Sequence, residues 1–446
     1  MRGNGDFWRK YRWHWKCAEK TVLTEKLIHY FRQIPDYRCG REKRHDLGEM
    51  LVCVTLGFIC GRTTIRRSLK WCKTHLEELR KHMNLKYGIA SPSTITRMLN
   101  GIDEELALYA FMEWIGEIVE SRNTHLAIDG KALCGATEKT KGETTPMLLN
   151  VVETVRGLIL AQLPVDSKTN EITAIPELLK LLEISGSIVT IDAVGTQTAI
   201  MEQIHEQGGH FVLTVKKNQP EAYEEIHTFM DKLGAEDLKR KKGEAMDPGM
   251  KEFLEKYEEI SQMEKNRDRN EYRTCQICKD ASNLTKSQKE WPHVQSIGRI
   301  KQVRIPKEKD SQGNDVTPSK EEFLEKGSRR IPAPSAGEGA GKDVQCTALI
   351  SDLILTAEEL GSIKRMHWSI ENRLHHVLDD TFREDRSPAK KSRNNLSLIR
   401  KYAYNILRLA MYETGLANIM TEMMDCFCDN AALRERYVFQ GIASLY

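Results

Sequence analysis

The stretch IVTIDAVGTQTAIMEQIHEQGGHFVLTVKKNQ, residues 188–219, decides the fold. It begins with an apolar, β-branched run that ends at Asp192, and it closes with a second apolar run, Phe211–Val215. Between them apolar residues recur at helical spacing until Gly208 and Gly209 end the helix. A strand, a helix and a strand in this order are typical of an α/β fold.

The segments upstream of this stretch add further strands. Leu126–Ile128 predicts a short strand, and Met147–Val155 with Leu158–Val165 predicts a β-hairpin that turns at residues 156–157. A helix follows over Ile172–Ile184. The order β-β-β-α-β-α-β therefore predicts an α/β layer fold.

The composition changes after residue 220. Charged segments predict helices there, and residues 306–342, rich in Gly, Pro, Ser, Glu and Lys, predict a loop or mobile linker. In chain order the predicted elements are helices Glu221–Lys242 and Lys251–Lys265, strands Tyr272–Cys278, Val294–Ile305 and Thr347–Ile350, and helices Ala357–Phe382 and Asn395–Tyr412.

The first 118 residues are predicted to be mostly helical and basic. Residues 1–100 carry 21 Lys and Arg against 9 Asp and Glu, a net +12, so the remaining residues sum to −9 within a total of +3. A basic end on a nearly neutral chain favours a polyanionic partner, most often nucleic acid. Trp8, Trp13 and Trp15 either stack on bases or pack a helix, and the sequence leaves both open. Helical spacing is present over Leu23–Phe31, Leu47–Cys60, Thr64–His82, Ser93–Leu99 and Glu104–Glu120.

Several classes of protein are excluded. No apolar run reaches the roughly 18–20 residues that a membrane helix needs, and the mean hydropathy is −0.51. Eleven cysteines without regular spacing do not indicate a disulfide framework. The pair Cys275 and Cys278 lacks the second pair of a zinc ribbon and fits a strand with the two cysteines on opposite faces. We therefore expect a cytoplasmic protein.

Two acids follow apolar strand residues. Asp129 follows Leu126–Ile128, and Asp192 follows Ile188–Ile191. Carboxylates at the ends of neighbouring strands repel each other unless a cation lies between them, and Mg²⁺ prefers such oxygen ligands. The alternative is that each Asp forms a turn or caps a helix.

A third acid lies on the helix predicted over 357–382. His367, Glu371 and His375 are spaced i, i+4, i+8, beside Leu374 and Leu378. This spacing predicts that Glu371 points towards the core, where a carboxylate needs a partner or a metal. The alternatives are a solvated glutamate and histidines that are hydrogen-bonded or stacked rather than bound to zinc.

Basic residues flank these acids. A charged run is usually a solvated face, but a nuclease-like site needs cations that hold the phosphate backbone. The clusters are Arg62, Arg66, Arg67 and Lys70, then Lys216 and Lys217, then Arg383, Arg386, Lys390, Lys391, Arg393, Arg400 and Lys401.

An ordered series of motifs resembles one family. The series comprises Asp129-Gly130-Lys131, Thr190-Ile191-Asp192-Ala193 with Thr196-Gln197, Gly209–Leu213 leading to Lys216-Lys217-Asn218-Gln219, His367–Asn372, Leu374-His375, Leu378-Asp379 and Phe382–Asp385. Together with the helical N-terminal segment, it resembles the H-repeat-associated (ISAs-type) family of DDE insertion-sequence transposases.

This resemblance implies an RNase-H-like mixed sheet core with an insertion before the last catalytic helix, preceded by an α-helical N-terminal domain. The implied segments are a basic, DNA-binding domain at 1–118, the first half of the core at 119–220, an insertion subdomain and linker at 221–345, the second half of the core with the catalytic helix at 346–412, and a helical tail at 413–446. The implied catalytic acids and metal ligands are Asp129, Asp192 and Glu371, which would hold two Mg²⁺ (or Mn²⁺) ions.

The implied function is a DNA transposase that cleaves element ends and joins them to target DNA. Its partners would be double-stranded DNA, as terminal inverted repeats and target, and a second copy of the chain in a homodimer on paired ends. The candidate DNA contacts are Lys131, Lys216, Lys217, Lys364, Arg365, His367, His375, Arg383 and Arg386.

The sequence departs from the wider group of related transposases in one respect. Those proteins carry Tyr, Arg and Lys around the helix Glu, where this chain has Lys364, His367 and Leu378. Three alternative functions stay open: a nuclease that cleaves without joining, a retired transposase that only binds DNA, and a zinc-dependent module.

Overall fold

A computed structural model of the protein describes residues 25–38, 43–133, 145–165, 171–265, 269–284, 291, 293–306, 308–309, 315–316, 344–443 and 445. The chain forms two compact units, one reaching to Ser187 and resuming at Met366, the other spanning Ile188–Arg365. Trp8, Trp13 and Trp15 and most of the predicted linker 306–342 lie outside the described residues. The five predicted segment boundaries stay predictions.

Helices form the first part of the chain, up to residue 118, and the part after residue 357, whereas the strands lie between residues 125 and 351. The α-helices are α1 Leu27–Gln33, α2 Leu47–Ile59, α3 Ile65–Thr74, α4 Leu76–Leu79, α5 Pro92–Gly101, α6 Glu104–Ile118, α7 Glu171–Lys180, α8 Thr198–Glu206, α9 Pro220–Lys242, α10 Lys251–Glu255, α11 Ala357–Ile370, α12 Arg393–Thr414, α13 Met420–Asp429 and α14 Ala431–Arg434. The strands are β1 His125–Ala132, β2 Met147–Glu153, β3 Leu158–Val165, β4 Ile188–Ile191, β5 His210–Val215, β6 Tyr257–Lys265, β7 Arg269–Cys278, β8 Ser296–Pro306, β9 Glu308–Lys309, β10 Asp315–Val316 and β11 Val344–Ser351. None of the helices within these described ranges is long and apolar enough to cross a membrane.

The core of the first unit is built around two buried helices. Every residue of α2 is buried, and so are most residues of α12. The rings of Phe31, Phe111 and Trp114 lie 4.7–4.8 Å from the ring of Tyr402, centroid to centroid, so α1 and α6 pack on α12. Such edge-on and tilted pairs add to the free energy gained from burying the rings.

The strands of the first unit are antiparallel, in the order β3-β2-β1. Gly157 has φ +77° in the turn between β2 and β3, a conformation that glycine adopts without strain. The predicted hairpin is therefore confirmed. Asp129 pairs with Asn150 of β2 and lies inside β1 rather than at its end, because pairing continues to Ala132.

The second unit contains a mixed sheet in the order β4-β5-β11-β8-β7-β6. Only β4 and β5 are parallel, and α8 connects them as the opening stretch of sequence predicts. The other neighbours pair antiparallel. The mixed α/β class predicted from the sequence is confirmed.

One predicted helix is largely wrong. Over the predicted helix Lys251–Lys265, only α10 is helical, and Tyr257–Lys265 is strand β6. All nine residues of β6 pair with β7, from Tyr257 opposite Cys278 to Lys265 opposite Asn270. This long pairing outweighs the helical preference of the Glu and Lys residues, since strand formation depends strongly on the neighbouring strand.

The helix predicted over 357–382 changes its form midway. It is α-helical to Ile370 and then π-helical over Glu371–His375 and Val377–Thr381. The N–H groups of His376 and Phe382 donate to carbonyls five residues back. Single π-turns of this kind are rare and are found mostly at functional sites.

Candidate active site

The carboxylate of Asp129 is partly exposed on β1. Its Oδ1 accepts a hydrogen bond from the N–H of Gly130 at 3.0 Å, and its Oδ2 lies 3.7 Å from Nδ1 of His375. Burial, together with the charges of Lys131 and Lys401, lowers the pKa of His375 to about 4. The imidazole is therefore neutral at pH 7, so its 3.7 Å approach to Asp129 is not a salt bridge.

Glu371 is exposed at the first residue of the π-helical stretch. The prediction that it points towards the core is wrong, because the buried face of the helix consists of Ile370, Leu374 and Leu378 and leaves Glu371 on its flank. A solvent-facing carboxylate keeps its oxygens accessible to a ligand.

Lys131 occupies a site that the sequence did not indicate. Its side chain is 4% exposed, and its ammonium donates to Asp379 and lies 3.5 Å from Glu384 and 3.4 Å from Asp385. The acids come from the segment that follows Glu371. The predicted contact between Lys131 and DNA has no support in this geometry, since the charge is committed to internal carboxylates.

Further buried charges surround Glu384. Its Oε1 lies 3.8 Å from Arg400, and the ammonium of Lys401 donates to the side chains of Asn150 and Gln162. Burial raises the pKa of Glu384, but the charges of Arg400, Lys401 and Lys131 outweigh burial and lower it. The sequence placed Arg400 and Lys401 in a basic cluster that could hold phosphates, but both side chains are buried. It gave no role to the acids Asp379, Glu384 and Asp385, although they stood within its motifs.

In the second unit, Asp192 follows β4 and contacts a lysine that follows β5. Oδ2 of Asp192 lies 2.9 Å from Nζ of Lys216, and both side chains are about half exposed. Burial raises the pKa of Asp192, but the hydrogen bond and charge of Lys216, with the charge of Lys364, lower it overall. Asp192 is therefore ionised at neutral pH.

Hydrogen bonds join the two loops beside Asp192. The amide of Asn218 donates to the carbonyl of Ala193 at 3.0 Å, and the amide of Gln219 donates to the carbonyl of Thr196. The hydroxyl of Thr196 donates to the carbonyl of Thr214 at 2.7 Å. The motif at 216–219 therefore fixes the loop after β4, which is a role that the sequence did not reveal.

The other predicted DNA contacts differ in exposure. Lys217, Arg383 and Arg386 are exposed, whereas His367 and Lys364 are buried. The ammonium of Lys364 donates to the hydroxyl of Thr214 at 2.8 Å. The exposed Arg365 pairs with Glu264 at 2.8 Å.

The CxxC pair lies on β7 as predicted, and its two thiols are buried. Burial raises the pKa of Cys275 to about 12 and the pKa of Cys278 to about 11. Metal binding needs the thiolate, so these residues pack as neutral thiols. Across the part of the chain that the structure describes, no three His, Cys, Asp or Glu side chains are grouped closely enough to hold a metal ion.

Comparison with known proteins defines the class. The family model described as "Transposase DDE domain" matches residues 120–406, and the model described as "DDE_Tnp_1-associated" matches residues 28–115. The class is therefore that of enzymes that cut and move DNA.

Individual relatives agree. The "H repeat-associated putative transposase YhhI" of Escherichia coli K12 is 28% identical over 86% of this chain and 90% of its own length. The "Putative transposase YncI" of Escherichia coli O157:H7 is 28% identical over 86% of this chain and 87% of its own length. A synaptic complex of piggyBac transposase with hairpin DNA aligns with a TM-score of 0.37 and 9% identity over 93% of this chain and 79% of that chain, too weak a likeness to support an argument. The chain belongs to the DDE transposase family and to its H repeat-associated group, as its motifs predict.

Proposed function

We propose that the protein is an active DNA transposase that cleaves the ends of its element and joins them to target DNA. We further propose that Asp129, Asp192 and Glu371 act together as its catalytic acids and metal ligands, in an RNase-H-like core. The observation that carries the proposal is that the family match over 120–406 includes all three acids, each of which is at least partly exposed. A retired transposase is expected to have lost at least one of them.

The donor chemistry of the three residues fits Mg²⁺ or Mn²⁺. Each offers carboxylate oxygens that are at least partly exposed, and hard divalent cations prefer oxygen ligands. Two such ions, when bound, lower the pKa of an attacking water or DNA 3′-hydroxyl and stabilise the leaving oxygen.

The chain's own residues prepare this chemistry. Lys216 and Lys364 keep Asp192 ionised, and Oδ2 of Asp129 lies 3.7 Å from Nδ1 of His375. The exposed Lys217, Arg383 and Arg386 supply positive charge for DNA phosphates. No covalent intermediate with the protein is needed.

We assign α3 as a DNA-contacting helix of the N-terminal region. Its buried face is formed by Ser68, Leu69, Trp71 and Cys72, and its exposed face carries Arg66, Arg67, Lys70 and Lys73. Among the described residues, none of these four cations pairs with an Asp or Glu. The helix crosses α2 closely, since a Cβ on Gly57 would lie 2.1 Å from Cβ of Ser68. A rigidly held face of uncompensated cations suits a phosphate backbone.

A donor plasmid that carries the element tests the proposal. The purified protein with Mg²⁺ or Mn²⁺ is expected to produce 3′-hydroxyl ends at the element terminus and, with target DNA, joined products that sequencing identifies. Cutting without joining would indicate a nuclease. Binding without cutting in either metal would indicate a DNA-binding protein.

A further inference from the structure

The backbone of the segment that carries Glu371 departs from regular α-helical geometry. It is π-helical over Glu371–His375 and Val377–Thr381, and Arg383 then adopts φ +52°. A positive φ at a residue other than glycine persists only where surrounding structure enforces it. Contacts from elsewhere in the unit must therefore fix this segment.

Two contacts with β1 hold the segment, and both come from one face of the strand. Asp129 and Lys131 are two residues apart, so their side chains point to the same face. Asp129 lies beside His375, in the middle of the segment. The ammonium of Lys131 contacts Asp379, Glu384 and Asp385, which lie at the C-terminal end of the segment.

The contact at Lys131 is the stronger of the two. The ammonium is buried and meets three carboxylates at 3.5 Å or less, one of them buried, whereas the single approach of His375 to Asp129 is 3.7 Å. Charge-assisted hydrogen bonds shielded from water are stronger than neutral ones. Removing the lysine would leave three carboxylates that repel one another.

We propose that Lys131 is a positioning residue, a buried cation that binds the segment 371–385 to β1 and thereby sets the separation of Glu371 from Asp129. This inference rests on the proposed function of the two acids. Lys131 touches neither DNA nor metal in this role, and it acts through the acids at the far end of the segment.

The first test measures hydrogen–deuterium exchange of the whole protein by mass spectrometry, which needs no catalytic activity. In Lys131→Met, amides of 371–385 are expected to exchange at least ~10-fold faster, while those of α12 stay protected over the same labelling times. Lys131→Arg keeps the charge and is expected to restore most of the protection. Unchanged exchange of 371–385 in Lys131→Met would overturn the proposal.

The second test measures the Mg²⁺ concentration that gives half-maximal DNA cleavage. Lys131→Met is expected to raise it by about 10-fold or more, as removal of a residue that orients metal ligands typically does. Arg434→Met is the matched control, because it removes a buried cation of the same unit that pairs with Glu78, outside the segment 371–385. An equal rise in Arg434→Met would mean general destabilisation and would overturn the proposal.

A third variant covers the case in which Lys131→Met does not fold. Asp379 is 31% exposed, so Asp379→Asn removes one partner of Lys131 with little change in shape. Asp379→Asn is expected to speed amide exchange of 371–385 and to raise the Mg²⁺ concentration for half-maximal cleavage, each by a smaller factor than Lys131→Met. Wild-type values for both would contradict the proposal. If the wild type cleaves no DNA, the proposed function fails, and the exchange measurement alone still decides the role of Lys131.

Discussion

Lys131 lies two residues after Asp129, and Lys216 follows β5, the strand that pairs with the strand before Asp192. Both lysines were expected to contact DNA. In the first unit, Lys131 is buried and meets three carboxylates of the segment after Glu371. In the second unit, Lys216 is half exposed and, among the residues that the structure describes, pairs with Asp192 alone. Burial and the number of partners, rather than the motif, therefore decide the role of each lysine. Lys131 stabilises the interior of its unit, whereas Lys216 lies at the surface beside Asp192.

The largest expected effect concerns the two aspartates that these lysines accompany. Asp129→Asn and Asp192→Asn keep the shape of the side chain and remove its charge, so each is expected to reduce DNA cleavage by about 10³-fold or more. Binding of the terminal duplex is expected to stay within about 3-fold of wild type, since phosphate contacts supply most affinity. Gel-shift and cleavage assays measure both quantities. A variant that cuts at the wild-type rate would remove its aspartate from the site.

The stability of two lysine variants tests the comparison itself. Lys131→Met leaves the buried Glu384 and two partly buried aspartates without this cation and is expected to lower the free energy of unfolding by about 3–5 kcal/mol. Lys216→Met breaks a half-exposed pair and is expected to cost under about 1 kcal/mol. Urea denaturation followed by circular dichroism measures both. Equal decreases would contradict the distinction between the two lysines.

Exposed cations without acidic partners should contribute to DNA affinity in proportion to their number. Replacing Arg66, Arg67, Lys70 and Lys73 by Ala is expected to reduce the slope of log K against log salt by about 0.9 for each phosphate that the variant no longer neutralises, about 3–4 in all. Arg80→Ala is the control, because that guanidinium already pairs with Glu77 at 2.9 Å. A wild-type slope in the fourfold variant would remove α3 from the DNA interface.

The smallest effect concerns acid sensitivity, in which the two units are alike. Burial and the charge of Arg299 lower the pKa of His227 in the second unit to about 4, as burial lowers that of His375 in the first. Because the folded-state pKa lies below the unfolded value of about 6.5, the stabilisation is complete above that pH and is lost as the pH falls towards 4. His227→Gln is expected to reduce the pH dependence of unfolding by up to about 1.4 kcal/mol per pH unit in this window. The exposed His376→Gln should leave it unchanged, and identical curves for His227→Gln and wild type would refute the assignment.

Local patterns predicted most of the elements. For example, β4, α8 and β5 each show their own hydrophobic pattern, and Asp192 or the glycines 208 and 209 mark where one element stops or the next begins. The strand β6 escaped prediction because its partner β7 outweighs its charged composition. The π-turns at Glu371 and the burial of Lys131 also escaped, since the acids that hold Lys131 lie up to 254 residues further along the chain. Contacts at that separation leave no periodic signal near the residue that they bury.

The most direct test of the central claim uses a labelled duplex with the element's own terminal sequence. Wild type and Glu371→Gln are compared in Mg²⁺ and in Mn²⁺, with DNA binding measured on the same samples. The account predicts metal-dependent cutting at the terminus by the wild type and its loss in the variant, with binding retained in both. Equal cutting by the two proteins, or binding without cutting by the wild type in either metal, would contradict it.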